Sequence, residues 1–213
     1  MRLADQEVQN HPVTLLAAVR DGESVVVAAD SSVWHVDRNM GASWEGTTVK
    51  FRPLRNTRAL YGFHGEQTIG EPMGIQIEKS TAWARWPELV AVVGDRLREV
   101  NTVPCLPREQ VTSVLVAGYL EGELGIYRIE PYGRPEVDES PAFLGDGRVV
   151  AKTGWHIAEQ AQPDMAVEAR LRLVMRHTVR QVGFLGFPVH FWRVTPGEIE
   201  ELAGLSGLAD PDL

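Results

Sequence analysis

With one cysteine, Cys105, in 213 residues, the chain cannot form an internal disulfide, and a reducing compartment, the cytoplasm, is the expected setting. No apolar run approaches the roughly 18 residues needed to span a bilayer. The polar opening M-R-L-A-D-Q-E-V-Q-N-H lacks the apolar core of a secretory signal, so no membrane partner is expected. Basic charge is also scarce. With 21 Lys and Arg against 29 Asp and Glu the net charge is −8, which argues against general nucleic-acid binding. Cys105, His64, His156 and His190 lack ligand spacing, so neither a metal nor another cofactor is expected. Internal repeats, low-complexity tracts and an interdomain linker are missing too. What remains, 44% hydrophobic and 23% charged, suits one domain with one sizeable core.

The most informative stretch runs from Pro12 to Asp30. Two Val-rich apolar runs, Leu15 to Val19 and Val25 to Ala29, flank the turn Asp21-Gly22-Glu23-Ser24, which predicts a β-hairpin. Neither run alternates with polar residues, so both faces of the hairpin should be covered. Thr14 stands at its start and Asp30 closes it sixteen residues later. The next polar landmark is Lys50. A strand from Arg58 to Phe63 then enters the turn Gly62-Phe63-His64-Gly65, with Gly65 fifteen residues after Lys50.

This arrangement resembles the proteasome β-subunits, and most closely the bacterial HslV-type peptidases among the N-terminal-nucleophile hydrolases. Thr14 to Asp30 and Lys50 to Gly65 lie on that pattern without a gap, while Ser31 to Val49 is longer. The resemblance implies an αββα fold, two antiparallel sheets between helical layers. It implies a terminal-threonine peptidase acting on peptide or protein substrates inside a homo-oligomeric ring, with an ATPase as a possible partner. In that chemistry Thr14 is the nucleophile and its freed α-amino group the base. Lys50 favours the alkoxide, Asp30 holds Lys50, Gly65 N–H meets the oxyanion and Gln67 lines the pocket before the scissile bond. Asp146 stands where the family carries a supporting serine, in Gly145-Asp146-Gly147, and Gln181 stands near its last supporting acid. Thr14 is preceded by His11-Pro12-Val13, where the family commonly cleaves after glycine, and a second register of the hairpin puts Pro12 at the nucleophile position.

Without cleavage Thr14 is an ordinary β-branched strand starter. The alternative is therefore a non-catalytic structural or binding subunit of the same fold. Residues 1–13 read as an arm or propeptide, 14–203 as the domain and 204–213 as a loose tail. Strands group in hairpins and helices in pairs, the order of a layered α+β domain. Ser31 to Gly46 reads as a connection. Pro87 opens a helix whose apolar stripe is Leu89, Val93, Leu97 and Val100. A helix follows Phe143-Leu144-Gly145-Asp146-Gly147, and another begins at Pro163-Asp164 with Asp164 as cap. In the latter Arg170, Arg172 and Arg176 are expected in solvent or at an interface. Trp83, Trp86, Trp155, Phe191 and Trp192 suggest apolar surface available for assembly.

Overall fold

The uninterrupted apolar runs on either side of Gly22 form the predicted hairpin, β1 (Leu15–Asp21) and β2 (Ser24–Asp30). A computed structural model of the chain describes residues 14–37, 41–65, 85–101, 112–130, 135–137 and 140–207. Gly22 turns with φ +60°, a conformation open to glycine at little cost. β1 is flanked by β10 (Ala142–Gly145), and β2 by β11 (Val189–Val194) and then β12 (Ile199–Leu205), in one antiparallel sheet. The hairpin thus lies in the middle, which explains why its two faces need no polar alternation.

A second antiparallel sheet runs β5 (Phe51–Pro53), β6 (Arg58–His64), β7 (Ser113–Leu120), β8 (Glu123–Ile129) and β9 (Pro135–Val137). A separate pair, β3 (Ser32–Asp37) and β4 (Gly41–Thr47), occupies much of the stretch read as a connection. The sheets meet through Leu16, Ala18, Val25 and Val27 on one side and Phe51, Leu60, Leu115 and Ala117 on the other. Alternate residues of the first sheet, Leu15, Ala17, Val26, Ala28 and Phe191, face α2 (Arg148–Ala161) and α3 (Val167–Gln181) through Trp155, Leu171, Val174 and Met175. The outer face of the second sheet takes α1 (Trp86–Asn101), whose Leu89, Val93 and Leu97 are fully buried. The order helix, sheet, sheet, helix is the four-layer αββα sandwich. Each fully buried Leu or Val contributes about 1.5–3 kcal/mol by leaving water, so three such interfaces account for a stable core.

Several expectations change. β10 precedes α2, because Phe143 and Leu144 pair with Ala17 and Leu16 rather than coiling toward the helix. α3 starts at Val167 and not at Asp164; Ala166 is its N-cap residue. Arg170 and Arg176 are buried, not solvated. The Arg170 guanidinium lies 5.1 Å over the Trp155 ring and donates to the carbonyls of Gln162, Pro163 and Met165, closing the turn between α2 and α3. Arg172 covers the Phe191 ring at 4.4 Å and pairs with Glu168. Trp86, Trp155, Phe191 and Trp192 are buried within the fold and are not free for assembly; Trp83 lies outside the described residues. β12 continues to Leu205, which is buried opposite Val189, so the stretch read as a tail begins inside the sheet.

Trp86 illustrates how tightly the outer layer is fitted. Its indole N–H donates to the Glu123 carbonyl at 2.9 Å, its ring stacks on Tyr127 at 4.9 Å, and a Cβ on Gly125 would stand 2.5–2.8 Å from three indole atoms. Gly125→Ala is expected to destabilise the fold by about 1–3 kcal/mol through overpacking. Urea titration checks this, with the midpoint falling and the slope unchanged.

Candidate active site

Asp30 is the last residue of β2 and has no exposure. An ionised carboxylate there must find donors, because burial without them is costly. It finds four. Its Oδ1 accepts the Leu15 N–H at 2.8 Å and the Lys50 ammonium at 2.7 Å, its Oδ2 accepts the Ser32 N–H at 3.2 Å, and the Gly186 N–H also donates to the carboxylate. Since Leu15 N and Lys50 Nζ share one oxygen, they stand within two hydrogen-bond lengths of each other. Thr14, whose own carbonyl carbon is bonded to that Leu15 nitrogen, is therefore placed at the same point, and it is buried.

Two close approaches build this meeting of chains. Lys50 precedes β5 in the second sheet and reaches Asp30 in the first. At Gly62, opposite Phe51, a Cβ would come to 2.9 Å from a Leu16 methyl and 3.1 Å from the Lys50 carbonyl oxygen, so the absence of a side chain keeps the sheets near enough for the pair. Gly145 faces Leu15 across the sheet with φ +103°, and a Cβ on it would overlap the Thr14 carbonyl oxygen. That carbonyl accepts the Asp146 N–H at 2.9 Å.

Burial drives the charges. It pushes the Lys50 ammonium below its ordinary range, against the opposing pull of Asp30 and Asp146. It pushes the Asp30 carboxyl up, opposed by Lys50 and the N–H groups of Leu15 and Gly186. His64, the end of β6, is also held down by burial; Asp146 and Glu130 raise it, while Lys50 and Arg148 lower it. Its Nδ1 lies 3.9 Å from the Asp146 carboxylate. Gly65 follows with φ +126°.

The structure thus gathers Thr14, Asp30, Lys50 and Asp146 at one end of the sandwich, with His64 and Gly65 at the end of β6. Gln181 is the exposed last residue of α3, and nothing among the described residues joins it to Asp30 or Lys50. Gln67 lies outside the described residues. Sequence reasoning missed Ser32, Gly186 and His64 as partners. For Gly186 the available signal was a glycine in the loop between α3 and β11, where a Cβ would overlap the Ser32 hydroxyl.

No family model matches the chain, and no curated protein matches it in sequence. Solved structures do match. Eukaryotic HslV from Trypanosoma brucei superposes with a TM-score of 0.60 at 18% identity, covering 85% of this chain and 99% of that one. A mutant of Anbu from Hyphomicrobium sp. strain MC1 superposes with a TM-score of 0.69, also at 18% identity, covering 93% and 90%. The fold is that of HslV and Anbu. The HslV-type resemblance therefore holds at the level of architecture.

In this HslV-like arrangement, removing the ammonium leaves Asp30 buried with only backbone donors. Lys50→Met is expected to cost about 3–5 kcal/mol near pH 8. The sign of its pH dependence follows from Asp30. A carboxyl whose folded pKa lies above its unfolded value keeps its full contribution below the unfolded value and loses it as pH rises through the folded one. Loss of Lys50 raises Asp30 further, so the variant should recover stability relative to the parent on acidification toward pH 4. Paired urea melts at the two pH values measure this; a deficit independent of pH contradicts it.

Proposed function

We propose that the chain is a threonine peptidase subunit, activated by removal of residues 1–13. The observation that carries this reading is the shared Asp30 oxygen, which fixes the Lys50 ammonium beside the peptide unit that leads out of Thr14. Released at the terminus, Thr14 gains an α-amino group with a pKa of about 7.7–8.0, near working pH. That amine takes the hydroxyl proton, and the Oγ1 attacks the substrate carbonyl, aided by the Lys50 charge. The Gly65 N–H donates to the oxyanion of the tetrahedral intermediate. On collapse the peptide C–N bond breaks, the proton passes to the leaving amine, and an ester to Thr14 remains. Water then adds to the ester carbonyl, and the proton it releases restores the hydroxyl. Gln67 lines the pocket before the scissile bond, Asp146 supports Thr14, and Gln181 completes the set of residues carried over from the resemblance. A homo-oligomeric cytoplasmic ring, with an ATPase as partner, encloses the site.

The second reading is a non-catalytic subunit. It is favoured by the sequence before Thr14, His11-Pro12-Val13, which lacks the glycine after which cleavage commonly occurs; uncut, Thr14 nitrogen stays in an amide and the base is missing.

Intact mass of the purified full-length product separates the two. The peptidase reading expects loss of residues 1–13, no loss in Thr14→Ala or Lys50→Ala, and labelling of the mature chain by a threonine-directed electrophile. Starting from the mature form, removal of the Lys50 charge should lower kcat by at least about 10²-fold, as loss of a single stabilising group does elsewhere. A full-length mass that persists, with no label taken up, establishes the second reading.

A further inference from the structure

A cavity of about 360 Å³ opens where β8, β10 and the start of α2 meet, and its charge is out of keeping with a chain of net −8. Arg128, Arg148 and Lys152 line it against a single carboxylate, Glu130. Arg128 is a fixed part of the wall, paired with Glu130 at 3.0 Å and within 3.5 Å of the Phe143 carbonyl. Arg148 and Lys152 are different. Both are exposed, and neither makes an ion pair or a side-chain hydrogen bond among the described residues. The first turn of α2 carries no acidic residue, so the positive end of the helix adds to the same field rather than being offset. Pro141 and Val149 supply apolar wall between the charges.

The cavity adjoins the candidate active site. Arg148 comes two residues after Asp146, whose N–H is bonded to the Thr14 carbonyl. The Asp146 carboxylate also lies 3.9 Å from Nδ1 of His64, at the end of β6.

We propose that this cavity is a subsite for a carboxylate of the polypeptide substrate, from an Asp or Glu side chain or from a chain end, held by Arg148 and Lys152. The proposal rests on the peptidase reading of Thr14 and adds the substrate class. A carboxylate suits the site because Glu130 cancels part of the charge, leaving room for one anion, while the apolar wall takes the methylene stem. Because Arg148 stands two residues from Asp146 in the chain and an extended substrate advances about 3.3 Å per residue, the acidic position is sought among the residues that flank the scissile bond.

The test uses quenched-fluorescence peptides with one Glu walked through three positions on each side of the scissile bond, Gln controls at each position, and free-acid or amide C-termini. The expected result is one register in which Glu exceeds Gln about tenfold in kcat/KM, mainly through KM, as two ion pairs to exposed side chains together allow. The ratio should fall toward one in the Arg148→Gln, Lys152→Gln double variant and in 0.5 M salt. A gain confined to the free-acid series assigns the site to a chain terminus, and a gain from an internal Glu assigns it to a side chain. Equal rates on Glu and Gln in every register, with no gain from the free acid, overturn the proposal, as does a preference that survives in the double variant. Fluorescence anisotropy on full-length Thr14→Ala separates this from failure of the peptidase reading. If the parent hydrolyses nothing but Thr14→Ala binds the acidic peptide about tenfold tighter through Arg148 and Lys152, the subsite stands without the hydrolase; equal binding of both peptides removes the subsite.

Discussion

The structure depends on one buried carboxylate. Asp30 joins four segments: the start of β1 through Leu15, the start of β3 through Ser32, the loop before β11 through Gly186, and the second sheet through Lys50. A carboxylate sealed from water tolerates no slack in such contacts, because each donor lost leaves a desolvated charge exposed to its full penalty. The same four contacts fix where Thr14 sits. The position of the candidate nucleophile is thus a by-product of satisfying a buried charge, which is a more rigid basis than packing alone.

Glycines set how near these segments come. At Gly62 the sheets approach until any side chain would press on Leu16 and the Lys50 backbone, and at Gly145 the strand beside β1 passes so close that the Thr14 carbonyl fills the place of a Cβ. The positive φ of Gly145 also aims the Asp146 N–H at that carbonyl. Short contacts between backbones therefore do what side-chain length could not, and they hold Thr14 from the side opposite its link to Asp30.

How legible this was in the sequence differs by element. The central hairpin was readable because two apolar runs and a Gly turn leave one register that buries both faces, and that register brings Thr14 and Asp30 to the same end. Lys50 and Gly65 became readable only through the resemblance, since nothing local says that β5 and β6 belong to the opposite sheet. β12 was missed because Ile199-Glu200-Glu201-Leu202-Ala203-Gly204-Leu205 is an edge strand with one partner and no clean apolar alternation, and only its last two residues, Gly204 and Leu205, fell in the stretch read as a tail. β10, only four residues long, was hidden by the helix that follows. Arg170 looked solvated because helix periodicity places it beside polar neighbours; its partners are carbonyls of the turn between α2 and α3, which no periodicity reveals. The partners Gly186 and Ser32 contribute backbone N–H groups, to which residue identity gives almost no signal.

The Asp30–Lys50 pair bears on whether the architecture is used for chemistry. Replacing a buried ion pair by well-packed apolar residues is often neutral or stabilising by about 1–4 kcal/mol, so stability alone does not call for a charged pair between two apolar sheets. The inter-sheet core contains the chain neighbours of both partners, Ala29 beside Asp30 and Phe51 beside Lys50. What a hydrocarbon side chain at position 50 could not supply is a positive charge, bonded to the same Asp30 oxygen as the Leu15 N–H and so beside the peptide unit that leads out of Thr14. That charge is what the proposed acyl transfer calls on, while its bond to Asp30 also ties the second sheet to the first.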